Sequence, residues 1–295
     1  TLDAGFKAVY ADAANKDVLI HFLNLVLDKQ IADLKFADRE MDASHENGRG
    51  VRFDLHCTGT DGTEFIVEMQ RNAIRHFMKR SVCYASRILF DNNERIILEA
   101  RKRGVDIHDP ETLRNNEELY DVPPVYTVAI IDQPLIEPEF RSEADKLVSH
   151  YILMEKDRYS LPEETINIIF VKSYLAKESL EECGTPLEEY MHYFKAICDE
   201  DNWDRMDDLL KDNELAREIR DLIRAANVAG YSKEKKQEYI SKAMNEIDRL
   251  VIESTIYTTA FDAGVAEGRE AGLAEGEARG EAKGLANGLL QKGME

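Results

Sequence analysis

The sequence predicts a mixed α/β domain, followed by a mainly helical region and a tail that repeats glycine at every fourth position. Three features support this fold class. Residues 15–27 have the apolar spacing of a helix, residues 51–70 have the alternation of a β-hairpin, and residues 125–131 form a near-continuous apolar run that is typical of a buried strand. These features divide the chain into three parts: 1–174, 175–261 and 262–295.

The composition argues against a membrane protein and against a cysteine-based site. No run approaches the ~18 consecutive apolar residues that a membrane-spanning helix needs, and no signal peptide opens the chain. We therefore expect a cytoplasmic protein without a membrane partner. The four cysteines form no C-x-x-C pair, which argues against a zinc site and a disulfide framework, and we expect them to be small buried side chains.

The first predicted element is an amphipathic helix over Asn15 to Leu27, because its apolar residues recur at the spacing of one helix face. That face predicts core packing. Asp17 lies on the same helix and is either an acid that approaches the site described below or an ordinary surface residue. Ile31 to Phe36 is predicted as the first strand, and the polar stretch 42–50 as a loop.

The hairpin follows, with a tight turn marked by the Asp61-Gly62 dipeptide. Side chains alternate along a strand, so Glu68 and Gln70 point to one face, and Phe65, Val67 and Met69 point to the other. A strict two-residue loop would place Asp54 opposite Met69. A three-residue loop with Gly62 in the left-handed conformation would place Asp54 opposite Glu68. We favour this bulged loop because glycine permits it.

The bulged register predicts two adjacent carboxylates with the Gln70 amide beside them. Two such carboxylates repel each other, and a hard divalent cation relieves the repulsion. Mg²⁺ is commonly bound by one or two carboxylates together with waters and phosphate oxygens, and it can activate water for attack on a phosphodiester. The alternative is a solvated outer face on which Asp54 and Glu68 are ordinary surface acids, and spacing alone favours that alternative.

The order Asp54, then Glu68-Met69-Gln70, resembles the PD-(D/E)XK nuclease signature with Gln in place of the usual Lys. Other segments resemble one bacterial family in the same order: Asp3 to Lys7, Asn15 to Leu27, Ile66 to Gln70, Lys79 to Ser81, and Tyr84. That family is the recombination-promoting nuclease and transposase family of PD-(D/E)XK enzymes. The similarity is good over roughly the first 135 residues, is weaker to about residue 175, and resumes in the tail.

This resemblance implies a fold, an activity and a set of site residues. The implied fold is the αβββαβ nuclease core, and the implied activity is Mg²⁺-dependent cleavage of DNA, with Mn²⁺ as a substitute, in recombination or mobile-element biology. Asp54, Glu68 and the backbone carbonyl of Met69 would be metal ligands, and Asp54, Glu68 and Gln70 the catalytic set. Gln70 can orient water by a hydrogen bond, although it carries no positive charge.

Charge argues both for and against a nucleic-acid partner. The net charge of −20 opposes it, since phosphate binding relies on Lys and Arg. However, residues 71–103 carry nine basic against three acidic residues, a net +6. Most of this segment, Ile74 to roughly Gly104, is predicted to form one long helix or two in sequence. The residues predicted to bind nucleic acid lie within residues 71–103: Arg71, Arg75, Lys79, Arg80 and Tyr84. The alternatives are a solvated helix face for the charges and plain packing for the tyrosine.

From Leu175 onward the chain is predicted to be mostly helical with many acids, and it ends in the glycine repeat from Gly264 to Gly288. Each glycine costs a helix about 1 kcal/mol relative to alanine. Four residues turn an ideal helix by about 400°, so the glycines drift around the helix axis and form no single face. We expect a weakly helical or disordered tail. Either this tail or the helical region before it would support self-association.

A rival reading from a different class is a catalytically degenerate nuclease fold that acts in interaction or assembly. The net charge favours this rival, whereas the intact set of Asp54, Glu68 and Gln70 favours an enzyme. A ribonuclease or a structure-specific nuclease would share the same site, so the sequence leaves the choice between DNA and RNA open.

Overall fold

In the computed structural model, residues 1–232 form one compact unit, which contains the sheet, and residues 233–295 form a second unit. The residues that the structure describes are 6–7, 9–38, 40–41, 51–71, 75–109, 111, 117–135, 146–161, 163–197, 208–211, 215–226 and 269. The predicted loop 42–50 and, apart from Arg269, the glycine tail lie outside these residues. The three-part division of the chain stays a prediction.

The unit is built around a six-stranded sheet with the order β1-β4-β5-β6-β8-β7. Its strands are β1 (Leu34–Phe36), β4 (Leu55–Gly59), β5 (Glu64–Gln70), β6 (Val125–Ile131), β7 (Val148–Ile152) and β8 (Ile166–Lys172). The three central strands β5, β6 and β8 run parallel, and the other pairings are antiparallel. A separate two-stranded ribbon pairs β2 (Glu40–Met41) with β3 (Val51–Arg52).

Four α-helices accompany the sheet in the described part of the chain: α1 (Lys16–Leu27), α2 (Phe77–Lys102), α3 (Pro186–Ile197) and α4 (Arg217–Ala226). Short 3₁₀ turns occur at Ala13–Asn15, Glu117–Tyr120, Ser173–Leu175 and Leu180–Glu182. The prediction of a mixed α/β fold is confirmed. Of the one or two helices predicted after the hairpin, the structure has one continuous helix, Phe77–Lys102. It is preceded by His76, which has a left-handed conformation with φ of 61°.

The sheet is covered on both faces, so every residue of β6 is buried, including the polar Thr127. One face packs against α1, α3 and α4, through a cluster that includes Val67, Val128, Phe194 and Leu222. The other face lies under α2, through two smaller clusters around Phe77 and Ile88. The helices after residue 175 therefore share a core with the first helix and the sheet.

The hairpin has the predicted bulged register. Leu55 pairs with Val67 and Cys57 with Phe65, which is the register that places Asp54 opposite Glu68. The Gly59 N–H donates to the Thr63 carbonyl at 2.8 Å and closes a three-residue loop. Gly62 in that loop has a φ of +87°, so the prediction of a left-handed glycine is confirmed.

The cysteines differ in part from the expectation of buried side chains. Cys57 is buried in the core, whereas Cys83 is exposed on α2 and Cys183 is half-buried. All three are free thiols, and Cys198 lies outside the described residues. Within the described residues, no helix combines the length and the apolar character that crossing a membrane would require.

Gly62→Ala should destabilise the protein, since an L-residue at this φ is strained by about 1–2 kcal/mol. The added Cβ would also lie 3.2 Å from Pro123 Cγ. Gly104→Ala is a matched control, because Gly104 has the same φ of +87° with nothing within 4 Å of the added Cβ. Urea unfolding should show a larger loss for Gly62→Ala. Equal losses would mean that the Pro123 contact is unimportant.

Candidate functional site

The end of the β4–β5 ladder brings two carboxylates together. Asp54 lies directly before β4, and at this position the two strands are joined by bonds between side chains and backbone. The Asp54 N–H donates to Glu68 Oε1 at 3.2 Å, and the Met69 N–H donates to Asp54 Oδ2 at 3.0 Å. Each carboxylate is thus held by the backbone of the opposite strand, and the two acids face the same side of the sheet.

Glu68 lies in the interface between β5 and α2 and is only 7% exposed. The alternative of a solvated outer face is therefore wrong for this residue. Burial raises the pKa of Glu68, and the Asp54 charge raises it further, to about 8. The Asp54 N–H and the charges of Arg80 and Lys7 act in the opposite direction. The protein therefore holds a carboxyl group whose negative charge is only partly compensated.

Arg80 of α2 is the cation that closes the site on the Glu68 side. Its Nη2 donates to Gln70 Oε1 at 3.3 Å and lies 3.6 Å from Glu68 Oε2. The guanidinium lies 5.0 Å from the centre of the Phe77 ring and 5.5 Å from that of Tyr84. Its buried Nε has no hydrogen-bond partner among the described residues. The structure therefore brings Gln70 and Arg80 together with the two carboxylates.

Tyr84 supports Arg80 from the next turn of α2. Its ring makes an edge contact with Phe53, with ring centres 5.5 Å apart and ring planes at 85°. Phe53 itself directly precedes Asp54, so the tyrosine connects the helix to the start of the carboxylate pair. This is a packing role, as one of the two alternatives predicted. A contact between Tyr84 and nucleic acid stays a prediction.

The other predicted basic residues lie around the site rather than in it. Arg75 and Lys79 are exposed near the start of α2, and half-buried Arg71 directly follows Gln70. Consecutive residues on a helix point about 100° apart, so Lys79 projects away from Glu68 where Arg80 projects toward it. The structure thus places one half-buried cation, Arg80, against the carboxylate pair and the other three around it.

Asp17 does not reach the site. It lines a groove of about 240 Å³ between α1 and α4, together with His21 and Asp221. This groove belongs to the helical layer on the face of the sheet opposite to Glu68. Of the two possibilities for Asp17, the structure supports an ordinary surface acid.

Lys7 is a site residue that the sequence analysis did not assign. Its Nζ lies 3.6 Å from Asp54 Oδ1, and the two side chains are 29% and 24% exposed. The Phe6-Lys7 pair belonged to the family resemblance, but no local spacing connects residue 7 with residue 54. A helical turn around residues 6–10, the N-terminal turn, packs against the core, and only this packing places the Lys7 ammonium beside the carboxylate pair.

A second buried acid on β5 provides a comparison for Glu68. Glu64 Oε2 accepts from Thr58 Oγ1 at 2.9 Å and lies 2.9 Å from His56 Nε2. Its Oε1 accepts from Asn92 Nδ2 of α2 at 3.4 Å. The other ring nitrogen of His56 lies 3.1 Å from the Asp38 carbonyl. Three side-chain groups therefore surround Glu64, and this network ties α2 to the same face of the sheet that carries Glu68.

The donor atoms of the site fit a hard divalent cation. Two carboxylates converge, and their mutual repulsion contributes to the raised pKa of Glu68. The Met69 N–H points toward Asp54, and the carbonyl of a strand residue points to the same side as its N–H. No group of three or more His, Cys, Asp or Glu side chains in the described chain could hold a metal. Mg²⁺ does not need such a cage, since waters and phosphates complete its coordination.

Comparison with known families agrees with this site. Residues 1–98 match the model described as PD-(D/E)XK nuclease family transposase. This segment, about a third of the chain, is similar to the PD-(D/E)XK nuclease family. The family prediction is thus confirmed, and the match indicates a function related to nucleases or transposases. The carboxylate pair, Gln70 and both flanking cations all lie inside the matched segment. Neither the curated proteins nor the solved structures contain a match to this chain.

Glu68 should make the stability of the metal-free protein depend on pH. Folding raises the pKa of Glu68 from 4.5 to about 8, so the folded state keeps a proton that the unfolded state releases. This contribution is complete below pH 4.5 and is lost as the pH rises to about 8, with a slope of at most about 1.4 kcal/mol per pH unit. Glu68→Gln does not titrate and should lose less stability over this range.

Urea unfolding of both proteins in EDTA, at roughly pH 5.5 and 8.5, measures this difference. Glu99→Gln is a matched control, because Glu99 is an exposed acid paired with Arg95 on α2. It should keep the pH dependence of the wild type. If Glu68→Gln also keeps that dependence, the assignment of the titration to Glu68 is contradicted.

Proposed function

We propose that this protein is a metal-dependent endonuclease that hydrolyses phosphodiester bonds in DNA. The observation that carries the proposal is the opposed pair of Asp54 and Glu68, with Gln70 and Arg80 on the same face of the sheet. The match of residues 1–98 to a nuclease family supports it. A role in recombination or mobile-element biology, which the resemblance implies, and a cytoplasmic location, which the composition favours, are part of the proposal.

Asp54, Glu68 and the Met69 carbonyl would hold Mg²⁺, and Mn²⁺ would substitute. When bound, the ion supplies the activation of a water molecule and the neutralisation of charge on the phosphate. The protein contributes orientation. Asp54 Oδ2 and Glu68 Oε1 are occupied by backbone N–H groups, which leaves Asp54 Oδ1 and Glu68 Oε2 directed toward Lys7 and Arg80.

Gln70 and Arg80 would position the substrate. Gln70 accepts from Arg80 through Oε1, and the amide nitrogen of the same group can donate to a water or a phosphate oxygen. Arg80 presents a planar fork that matches two phosphate oxygens. Since the rings of Phe77 and Tyr84 lie against the guanidinium, it loses little conformational freedom when a phosphate arrives.

Fewer cations on α2 can contact a phosphate than the charge count of the sequence indicated. Arg87 pairs with Asp91 at 3.0 Å, and Arg95 with Glu99 at 3.8 Å, so these arginines are neutralised on their own helix. The cations that would meet the DNA backbone are those near the start of α2, namely Arg71, Arg75, Lys79 and Arg80. This position is adjacent to the carboxylate pair, as a cleavage site requires.

The second candidate function is an interaction or assembly protein with a degenerate nuclease fold. The net charge of −20 favours it, because such a charge repels nucleic acid over most of the surface. The absence of a lysine at position 70 agrees with it. Self-association through the helical region or the tail would be its mechanism, and that stays a prediction.

Nicking of a supercoiled plasmid with Mg²⁺ or Mn²⁺ tests the nuclease proposal. Asp54→Asn and Glu68→Gln should each reduce cleavage by roughly 100-fold or more, because each removes a ligand charge from the metal site. Asp33→Asn is the matched control, since Asp33 pairs with Lys16 at 2.5 Å outside the site. EDTA should abolish cleavage by the wild type.

Cleavage that survives in Asp54→Asn would contradict the assigned site. If the wild type cleaves neither DNA nor RNA and binds no Mn²⁺, the nuclease proposal fails, and the second candidate function, an interaction or assembly protein, is favoured. Parallel assays with RNA and with branched DNA identify the substrate class.

Substitutions on α2 should separate catalysis from binding. Arg80→Ala should lower the cleavage rate at saturating DNA by roughly 10- to 100-fold, because this cation faces the carboxylate pair. Lys79→Ala should weaken DNA binding in Ca²⁺ and reduce the salt dependence of log Kd by about 1, with little effect on the saturated rate. Arg95→Ala is the control, since Arg95 is already paired. Equal effects of Arg80→Ala and Lys79→Ala would contradict this division of roles.

A further inference from the structure

The ammonium of Lys7 lies on the side of the carboxylate pair that Arg80 does not cover. Lys7 Nζ is 3.6 Å from Asp54 Oδ1, and Arg80 Nη2 is 3.6 Å from Glu68 Oε2. Each acid therefore has one oxygen on a backbone N–H and the other near a cationic side chain.

The backbone that carries Lys7 is held firmly by the core. Phe6, Val9 and Tyr10 are fully buried around it. The Ala11 N–H donates to the Lys7 carbonyl at 3.0 Å, as in a helical turn. The hydroxyl of Tyr10 is hydrogen-bonded to that of Tyr190 at 3.0 Å, which connects this turn to α3. Lys7 thus reaches the site from a rigid support, with its side chain partly open to solvent.

Gln70 leaves the strand side of the site without a positive charge of its own. A lysine at that position would project from the same face of β5 as Glu68, since the two residues are separated by two along the strand. In this chain Gln70 instead accepts a hydrogen bond from Arg80. The ammonium near the carboxylate pair comes instead from Lys7, which lies on a different element, the N-terminal turn.

We propose that Lys7 is a catalytic residue that supplies the positive charge absent at position 70, by holding a phosphate oxygen beside Asp54. This inference rests on the proposed nuclease function. In the hydrolysis, the bond from phosphorus to the attacking water oxygen forms and the bond to the leaving oxygen breaks. The proton of the water passes to solvent, and the leaving oxygen takes a proton from solvent. Lys7 keeps its proton throughout and acts as a fixed donor and charge.

Four variants test the proposal: Lys7→Gln, Lys7→Arg, Lys7→Gln combined with Gln70→Lys, and Lys16→Gln. The last is the matched control, because Lys16 forms a Lys–Asp pair with Asp33 away from the site. Two quantities are measured for each full-length variant. These are the single-turnover cleavage rate at saturating Mn²⁺ and the Kd for Mn²⁺ without DNA. Circular dichroism of each variant checks that it is folded.

Lys7→Gln should slow cleavage by about 100-fold, the order expected when one charge-stabilising group is removed. Its affinity for Mn²⁺ should be unchanged or higher, because a cation that competes for Asp54 has been removed. Lys7→Arg should retain much of the rate, and Gln70→Lys should restore part of the rate lost in Lys7→Gln. Lys16→Gln should behave as the wild type.

A contrary result is distinct from failure of the nuclease proposal itself. If Lys7→Gln binds Mn²⁺ more weakly and excess Mn²⁺ restores its rate, Lys7 only orients Asp54 and the proposal is overturned. Unchanged cleavage in a folded Lys7→Gln overturns it as well, while the nuclease function stands. A wild type that neither cleaves nor binds Mn²⁺ overturns both proposals.

Discussion

The register of the β4–β5 hairpin is the constraint on which the site depends. Gly62 adopts a left-handed conformation and lengthens the loop to three residues, so that Asp54 lies opposite Glu68. Side chains alternate along a strand, so a slip by one residue would put Met69 opposite Asp54 and turn its side chain to the other layer. The two bonds between carboxylates and backbone N–H groups would then be lost. The conformation of one glycine thus decides which groups meet six residues beyond each end of the three-residue loop.

The two buried acids of β5 show how environment separates a locally compensated carboxylate from a partly compensated one. Glu64 and Glu68 are four residues apart on the same face, and both are buried under α2. Glu64 is surrounded by Thr58, His56 and Asn92 at hydrogen-bond distances, so its charge is compensated locally. Glu68 has one backbone N–H at 3.2 Å and a guanidinium at 3.6 Å, and its pKa rises to about 8. An incompletely compensated acid beside a second acid is the arrangement that a cation stabilises most.

Local pattern was sufficient to predict the hairpin register and the carboxylate pair, because turn chemistry and strand alternation act within a few residues. It was insufficient to predict features that depend on packing between elements distant in the chain. The burial of Glu68 requires that α2 cover the polar face of β5, which alternation alone presents as solvated. The side of the sheet on which Asp17 lies depends on how α1 packs. The contact between Lys7 and Asp54 joins residues 47 positions apart, and no periodicity reports it.

The acidic composition and the cations near the start of α2 would act on the proposed DNA substrate at different distances. At 0.1 M salt, charges beyond about 10 Å are largely screened, so the net charge of −20 repels DNA mainly at longer range and lower salt. The cations near the start of α2 act at contact, where screening is weak. Since Arg87 and Arg95 are paired on their own helix, few phosphate contacts remain. Such a surface favours selective engagement of a few phosphates beside Asp54 and Glu68 over tight, indiscriminate binding along the duplex.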